Sequence, residues 1–325
     1  MGRRPASLVS GVKIAFLFPG QGSQAVGMGR ALAESSAAAA AVWKKADEAL
    51  GFSLSRLCFE GPADALELTA NTQPAVLAAS VAAAAALQEH GIQPDLAAGH
   101  SLGEYSALVV TGALGFVDAV RLVRRRGEFM QEAVPVGTGA MAALLGLELP
   151  AAEQACAEAA QGEVVNVANM NSPGQIVIAG HKSAVERAVK VAAGLGAKKS
   201  MLLPVSAPFH CALMSPAADR LAAELESMAV QAPRVPVFRN VDAKATTRAE
   251  DVKPFLIRQV ASPVRWTECL EALAGAGATS WFEVGPGRVL TGLLKRTIDG
   301  ARGHAVEDTE SLEKATTALA GGAAA

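Results

Sequence analysis

The chain has 325 residues, 51% of them hydrophobic and 18% charged, so it can bury a large core and is not a disordered chain. That length suits one large domain with an insertion, or two domains. A net charge of −2 excludes a general attraction to nucleic acid, so an acidic partner must be met by a local basic patch. The four cysteines, at positions 58, 156, 211 and 269, form no C-x-x-C pair. They suggest neither a zinc site nor a disulfide framework, and fit a reducing, cytoplasmic setting.

Residues 1–11 read as a loose extension. Arg3-Arg4 leads into no sustained apolar run, because Lys13 interrupts it, so no signal peptide is expected. Lys13 to Phe18 is a strand ended by Pro19-Gly20. Helices are expected from about Ala25 to Leu50, around Asp64 to Leu68, and from Gln73 to His90. The apolar run Ala75 to Leu87 is too short to span a bilayer and reads as a buried helix, so no membrane association is expected. Asp95 to Ala98 ends a short strand, Leu102 to Leu114 is a helix, and Phe116 to Ala133 is another. Strands alternating with helices imply a parallel sheet covered on both faces.

From Gly137 the rhythm changes. Met141–Leu147, Val164–Ala168, Gln175–Ala179 and Ser200–Val205 read as strands, with helices Ala151–Ala160 and Lys182–Leu195 between them. The order β-α-β-β-α-β is ferredoxin-like. It predicts a small subdomain over 137–206 inserted into a larger α/β body of 1–136 and 207–325. The body resumes with helix Ala212–Met228, strand Val235–Arg239, helices near 251–261 and 266–275, strand Thr279–Val284 and a last helix from Arg288. Ala315 to Ala325 reads as a frayed end.

Gly99-His100-Ser101-Leu102-Gly103 carries the chemistry. It is a G-x-S-x-G stretch between a strand and a helix, the context in which a serine hydroxyl is held out at the top of a sheet. The helix start directs free N–H groups at the place where an oxyanion would form. The alternative is a Gly-rich turn with an incidental serine.

A nucleophilic serine needs a base. Of the five histidines, His90 and His304 stand in polar, surface-like contexts and His181 at a turn, while His100 alternates away from Ser101. Elimination leaves His210, between a strand end and a helix start, where sites of open α/β sheets collect. The single aspartate between Ser101 and His210, Asp118, is explained by a helix start. A Ser–His dyad is therefore expected, its imidazole oriented by a carbonyl or an amide.

Arg126 is flanked at helical spacing by Leu122, Val123, Phe129 and Met130, whereas Arg124 and Arg125 have polar neighbours. A guanidinium aimed inward needs a partner: either a Glu in an internal salt bridge or a substrate carboxylate. Gly20-Gln21-Gly22-Ser23-Gln24-Ala25 also matches the relaxed dinucleotide pattern G-x-G-x-x-A. The required second strand ending in an acid is missing. The loop reads instead as a presenter of amide groups at the sheet edge that carries Ser101.

Phe-Pro-Gly-Gln-Gly-Ser-Gln, Gly-His-Ser-Leu-Gly-Glu-Tyr-Ser-Ala-Leu, Arg-Gly-Glu-Phe-Met-Gln-Glu-Ala, Asn-Ser-Pro-Gly-Gln, Pro-Phe-His-Cys-Ala-Leu-Met and Glu-Val-Gly-Pro-Gly occur in that order. Over roughly residues 12–300 this ordered set resembles the malonyl-CoA:acyl-carrier-protein transacylases of type II fatty acid synthesis. The resemblance implies an α/β-hydrolase-like body with an inserted ferredoxin-like subdomain. It implies that Ser101 becomes malonylated, that His210 is the base, and that Arg126 pairs with the free malonyl carboxylate. It places Gln21 and the Leu102 N–H in the oxyanion hole and makes the Gln259 carbonyl the group that orients the histidine. Phe209 and Met130 are expected beside the substrate. Malonyl-CoA and acyl carrier protein are the implied partners, with no metal or organic cofactor. Lys198-Lys199 and Lys295-Arg296 are the candidate bases for carrier docking. Two rivals are a serine hydrolase, which would usually keep an acidic triad member, and a non-catalytic carrier-binding scaffold.

Overall fold

The computed structural model describes residues 12–205 and 207–321. The expected extension 1–11, Ser206 and the last four residues, Gly322 and three alanines, lie outside them. Six strands form the main sheet in the order β10-β9-β1-β2-β7-β8: β1 Ile14–Phe18, β2 Leu96–Gly99, β7 Val237–Phe238, β8 Ala245–Thr246, β9 Ser280–Val284 and β10 Gly303–Val306. All pairs are parallel except β7 with β8. The central strand β1, Ile-Ala-Phe-Leu-Phe, is apolar throughout because helices cover both of its faces. Since β1, β2 and β9 run in one direction, the loops after Phe18, Gly99 and Val284 meet at one edge.

Four strands form a separate antiparallel sheet in the order β4-β5-β3-β6: β3 Gly139–Leu145, β4 Val165–Ser172, β5 Gln175–His181 and β6 Lys199–Leu202. Helices α8 Leu149–Ala160 and α9 Lys182–Gly194 complete the expected β-α-β-β-α-β order. The pleat explains its two cores. Ala142, Leu144, Ile176 and Ile178 face α8 and α9, while Met141, Ala143, Val177 and Ala179 join the core of the body.

The body helices are α1 Arg30–Ser35, α2 Ala37–Leu50, α3 Leu54–Glu60, α4 Ala63–Glu67, α5 Thr69–Glu89, α6 Leu102–Val110, α7 Phe116–Glu132, α10 Ser215–Glu226, α11 Ala249–Val260, α12 Trp266–Gly275, α13 Val289–Thr297 and α14 Thr309–Gly321. The single helix expected over 25–50 is two. Ser36 is extended and caps α2 by accepting Ala39 N–H at 3.0 Å, and Gly27 and Gly29 hold the preceding turn at positive φ. Helix α5 starts a turn earlier than expected and carries Pro74 inside it. By length and composition it could cross a membrane, contrary to the expectation from its alanine run, but 78% of its apolar window is buried inside the fold. Helix α10 is preceded by a 3-10 turn, Ala212–Met214. Helix α3, strand β8, strand β10 and helix α14 correct the sequence expectation. Residues 315–321 are not frayed but helical, and Leu312 and Ala315 are buried. Alanine is the best helix former, so a tail-like composition here belongs to a docked helix.

Candidate active site

The two side chains expected to react sit on strained backbone. Ser101 has φ 51° and ψ −104° in the turn between β2 and α6, and His210 has φ 61°. Four non-glycine residues have positive φ among the described residues, and these are two of them. Strain of this kind persists only where the surroundings enforce it. At Ser101 the enforcement is visible. Asn240, two residues past β7, accepts the Ser101 N–H on Oδ1 at 2.7 Å and donates from Nδ2 to the Gly99 carbonyl at 2.8 Å.

The expected pair is assembled. Ser101 Oγ lies 2.7 Å from His210 Nε2, and His210 Nδ1 lies 3.0 Å from the Gln259 carbonyl. A carbonyl only accepts, so Nδ1 carries the hydrogen and Nε2 keeps a lone pair for the serine proton. Burial, and then the Arg126 charge, push the His210 pKa down to about 3. The imidazole therefore stays neutral, as a base must. Serine acylation should show no acid limb near the ordinary histidine value of ~6.5. Acylation rates measured from pH 8 down to 5.5 should stay level on this account, whereas an inflection near 6.5 would show an unperturbed imidazole.

Arg126, on α7, is 2% exposed. Nη1 donates to Gln73 Oε1 at 2.8 Å, and Nη2 donates to Gln259 Oε1 at 3.0 Å and to Ser101 Oγ at 3.2 Å. The guanidinium also lies over the Tyr105 ring at 5.2 Å. Of the two partners left open by the sequence, an internal Glu is not the one found: its hydrogen bonds go to two amides and a hydroxyl. A buried guanidinium thus stands beside the Ser101 hydroxyl with no carboxylate hydrogen-bonded to it among the described residues. Met130 is buried, and its Sδ receives Gln73 Nε2 at 3.7 Å, so it packs on the group that holds Arg126. Phe209, also buried, directly precedes the histidine.

The loop after β1 closes on the elbow. A Cβ on Gly103 would stand 2.0 Å from the Phe18 carbonyl oxygen, and one on Gly20 would stand 2.5 Å from that of His100. Gln21, in this loop, donates from its side chain to Thr69 Oγ1 at 3.2 Å. At the start of α6, Gly103 N–H returns to His100 O and Glu104 N–H to Ser101 O. The Leu102 N–H takes no acceptor among the described residues.

The remaining histidines serve structure. His100 points away from Ser101 toward Asn171 Oδ1 at 2.8 Å and Trp266. His181 accepts the Val164 N–H at 2.9 Å, and His90 ends α5. His304 is not surface-like as expected: it is half-buried and stacks on Phe282. Glu104, Asn240, Gln73 and the side-chain amide of Gln259 were not singled out by the motifs. The first was within reach, because a glutamate flanked by Leu102, Gly103, Tyr105, Ala107 and Leu108 is as conspicuous as Arg126.

A strained serine paired with a neutral histidine at a sheet edge defines the site of a serine acyltransferase or hydrolase. The acyl transferase domain family matches residues 15–319, and the chain belongs to that family. It is similar to the malonyl CoA-acyl carrier protein transacylase of Escherichia coli strain K12, 51% identical over 304 residues, covering 93% of this chain and 98% of that one. The protein of the same description from Bacillus subtilis is 50% identical over 308 residues, covering 94% and 97%. Among solved structures, an acyl carrier protein S-malonyltransferase from Vibrio cholerae superposes with a TM-score of 0.91 at 53% identity, covering 93% of this chain and 99% of that one. A type II PKS acyl-carrier protein in complex with its malonyl-transacylase gives 0.92 at 49%, covering 94% and 99%.

Proposed function

We propose that this chain transfers malonyl from malonyl-CoA to the phosphopantetheine thiol of acyl carrier protein for fatty acid synthesis, through a malonyl-serine at Ser101. The observation that carries this reading is Arg126 Nη2 at 3.2 Å from Ser101 Oγ, buried and without a bonded carboxylate. Malonate has one methylene between its two carboxyl carbons, so an acyl group on Ser101 brings its free carboxylate to the guanidinium. The likeness to malonyl transacylases supports the same substrate.

The steps follow from the geometry. His210 Nε2 takes the Ser101 proton as Oγ attacks the thioester carbonyl. The oxyanion takes hydrogen bonds from the Gln21 and Leu102 N–H groups. Collapse breaks the C–S bond, and the CoA sulfur leaves with the proton held by His210. The carrier thiol then gives its proton to His210 and attacks the malonyl-serine, and the second collapse returns that proton to Ser101. Serine, histidine and arginine account for every proton and charge, so we propose no metal and no organic cofactor. We place the protein in a reducing cytoplasm, where its four buried thiols stay free.

Intact-mass measurement after mixing with malonyl-CoA, acetyl-CoA or methylmalonyl-CoA tests this reading. A malonyl adduct should form, should be discharged by carrier protein, and should be absent from Ser101→Ala. The methylmalonyl adduct should form more slowly if Leu102 and Phe209, the residues next to Ser101 and His210, crowd an α-methyl, since a methyl is discriminated by about 1–3 kcal/mol. Faster turnover of simple esters than of malonyl-CoA would favour a hydrolase, and no adduct at all a scaffold.

For the carrier, the docking candidates Lys198, Lys199, Lys295 and Arg296 are all exposed. Arg296, at the end of α13, donates to Gln175 Oε1 at 2.7 Å, linking the body to the small sheet. Gln175 and Lys199 both register with Leu145, so both basic pairs stand at the same end of that sheet. An acidic carrier would be steered there. Charge reversal at both pairs should raise the KM for carrier at low salt and leave self-malonylation near normal. Unchanged carrier kinetics at low ionic strength would place docking elsewhere.

A further inference from the structure

Glu104 is buried in the first turn of α6 and takes no part in the proposed steps. A carboxyl group that deep is costly unless something uses it. One of its oxygens, Oε2, accepts two hydrogen bonds: from the Asn240 backbone N–H at 2.9 Å and from Gln259 Nε2 at 2.8 Å. Both donors belong to residues that hold the reacting groups. Asn240 clamps the Ser101 N–H. Gln259 offers its backbone carbonyl to His210 and its side-chain oxygen to Arg126.

An amide can be placed in two orientations that exchange its oxygen and nitrogen. Acceptors at Glu104 Oε2 and at the Ser101 carbonyl, 3.0 Å from Gln259 Nε2, both require the NH2 on their side. That choice leaves Gln259 Oε1 facing Arg126 Nη2. With the NH2 turned toward Arg126 instead, two donors would confront each other and the guanidinium would be displaced.

We propose that Glu104 is a positioning residue that fixes the Gln259 amide and thereby aims Arg126 at the carboxylate of the acyl group. The role needs an acceptor oxygen, not a negative charge, because both bonds to Oε2 are accepted. The proposal rests on the reading of Arg126 as the malonyl-carboxylate partner.

The test compares self-acylation by malonyl-CoA and acetyl-CoA. Glu104→Leu keeps most of the volume and removes the acceptor. It should lower the malonyl-to-acetyl ratio of kcat/KM about tenfold or more, since small misplacements of a positioning group are costly. Glu104→Gln keeps an acceptor oxygen and should recover most of the ratio. In an Arg126→Ala background, Glu104→Leu should change the ratio no further, because the two residues act in series. A proportional fall in both substrates with the ratio intact would show a merely structural role and overturn the proposal, as would an undiminished ratio. If Glu104→Leu does not fold, Glu104→Asp, which withdraws the acceptor by one methylene, carries the same expectation. Failure of the wild-type protein to prefer malonyl over acetyl would instead sink the reading of Arg126, so the two failures are distinguishable.

Discussion

Arg126→Ala should abolish most malonyl transfer while sparing, or raising, acetyl transfer. The resting guanidinium is held by Gln73, Gln259 and Ser101, all neutral. On the proposed reading of Arg126, the acyl carboxylate is the anion that this buried charge receives during the reaction. Removing one partner of a buried charge-assisted pair costs on the order of 2–5 kcal/mol. The malonyl kcat/KM should fall accordingly, by tens to thousands of fold, as read by adduct formation with each CoA ester. An acetyl group makes no such pair and escapes the penalty. Equal losses for both substrates would show that Arg126 only holds the fold, for instance by fixing Gln73 and Gln259.

The parts of this site that could be read from the sequence share a local origin. The elbow at Ser101 combines glycines, a strand before and a helix after, all within a few residues. Arg126 stood out because helical spacing surrounds it with apolar residues. The β-α-β-β-α-β order followed from periodicity alone. Asn240 and Gln73 escaped because their roles depend on residues far off in the chain: Asn240 meets Ser101 across 139 positions and Gln73 meets Arg126 across 53. The sequence resemblance did point to the Gln259 backbone carbonyl, but its side-chain amide does separate work that no motif marks. Residues 315–321 were misjudged for a different reason. Alanine and glycine there suggested a tail, whereas β10 pairs with β9 and α14 docks behind it, and only the tertiary partner distinguishes the two outcomes.

Gly103→Ala should cost both stability and activity. A Cβ at this position would lie 2.0 Å from the Phe18 carbonyl oxygen and 2.9 Å from that of Pro19, both backbone atoms that cannot rotate away. Helix α6 would have to move off β1. Overpacking of this kind costs about 1–3 kcal/mol and occasionally more. The same displacement carries Ser101 away from His210, and a shift of about 1 Å in a reacting group costs on the order of a hundredfold in rate. Gly292→Ala provides the control. That residue lies in α13, is exposed, and has nothing within 4 Å of the added Cβ. Replacing a mid-helix glycine there should leave activity intact and stabilise by up to about 1 kcal/mol. Denaturant unfolding together with the rate of malonyl-adduct formation would separate the two variants. A Gly103→Ala protein with wild-type stability and rate would mean that the close approach of loop and elbow is not what holds the serine in place.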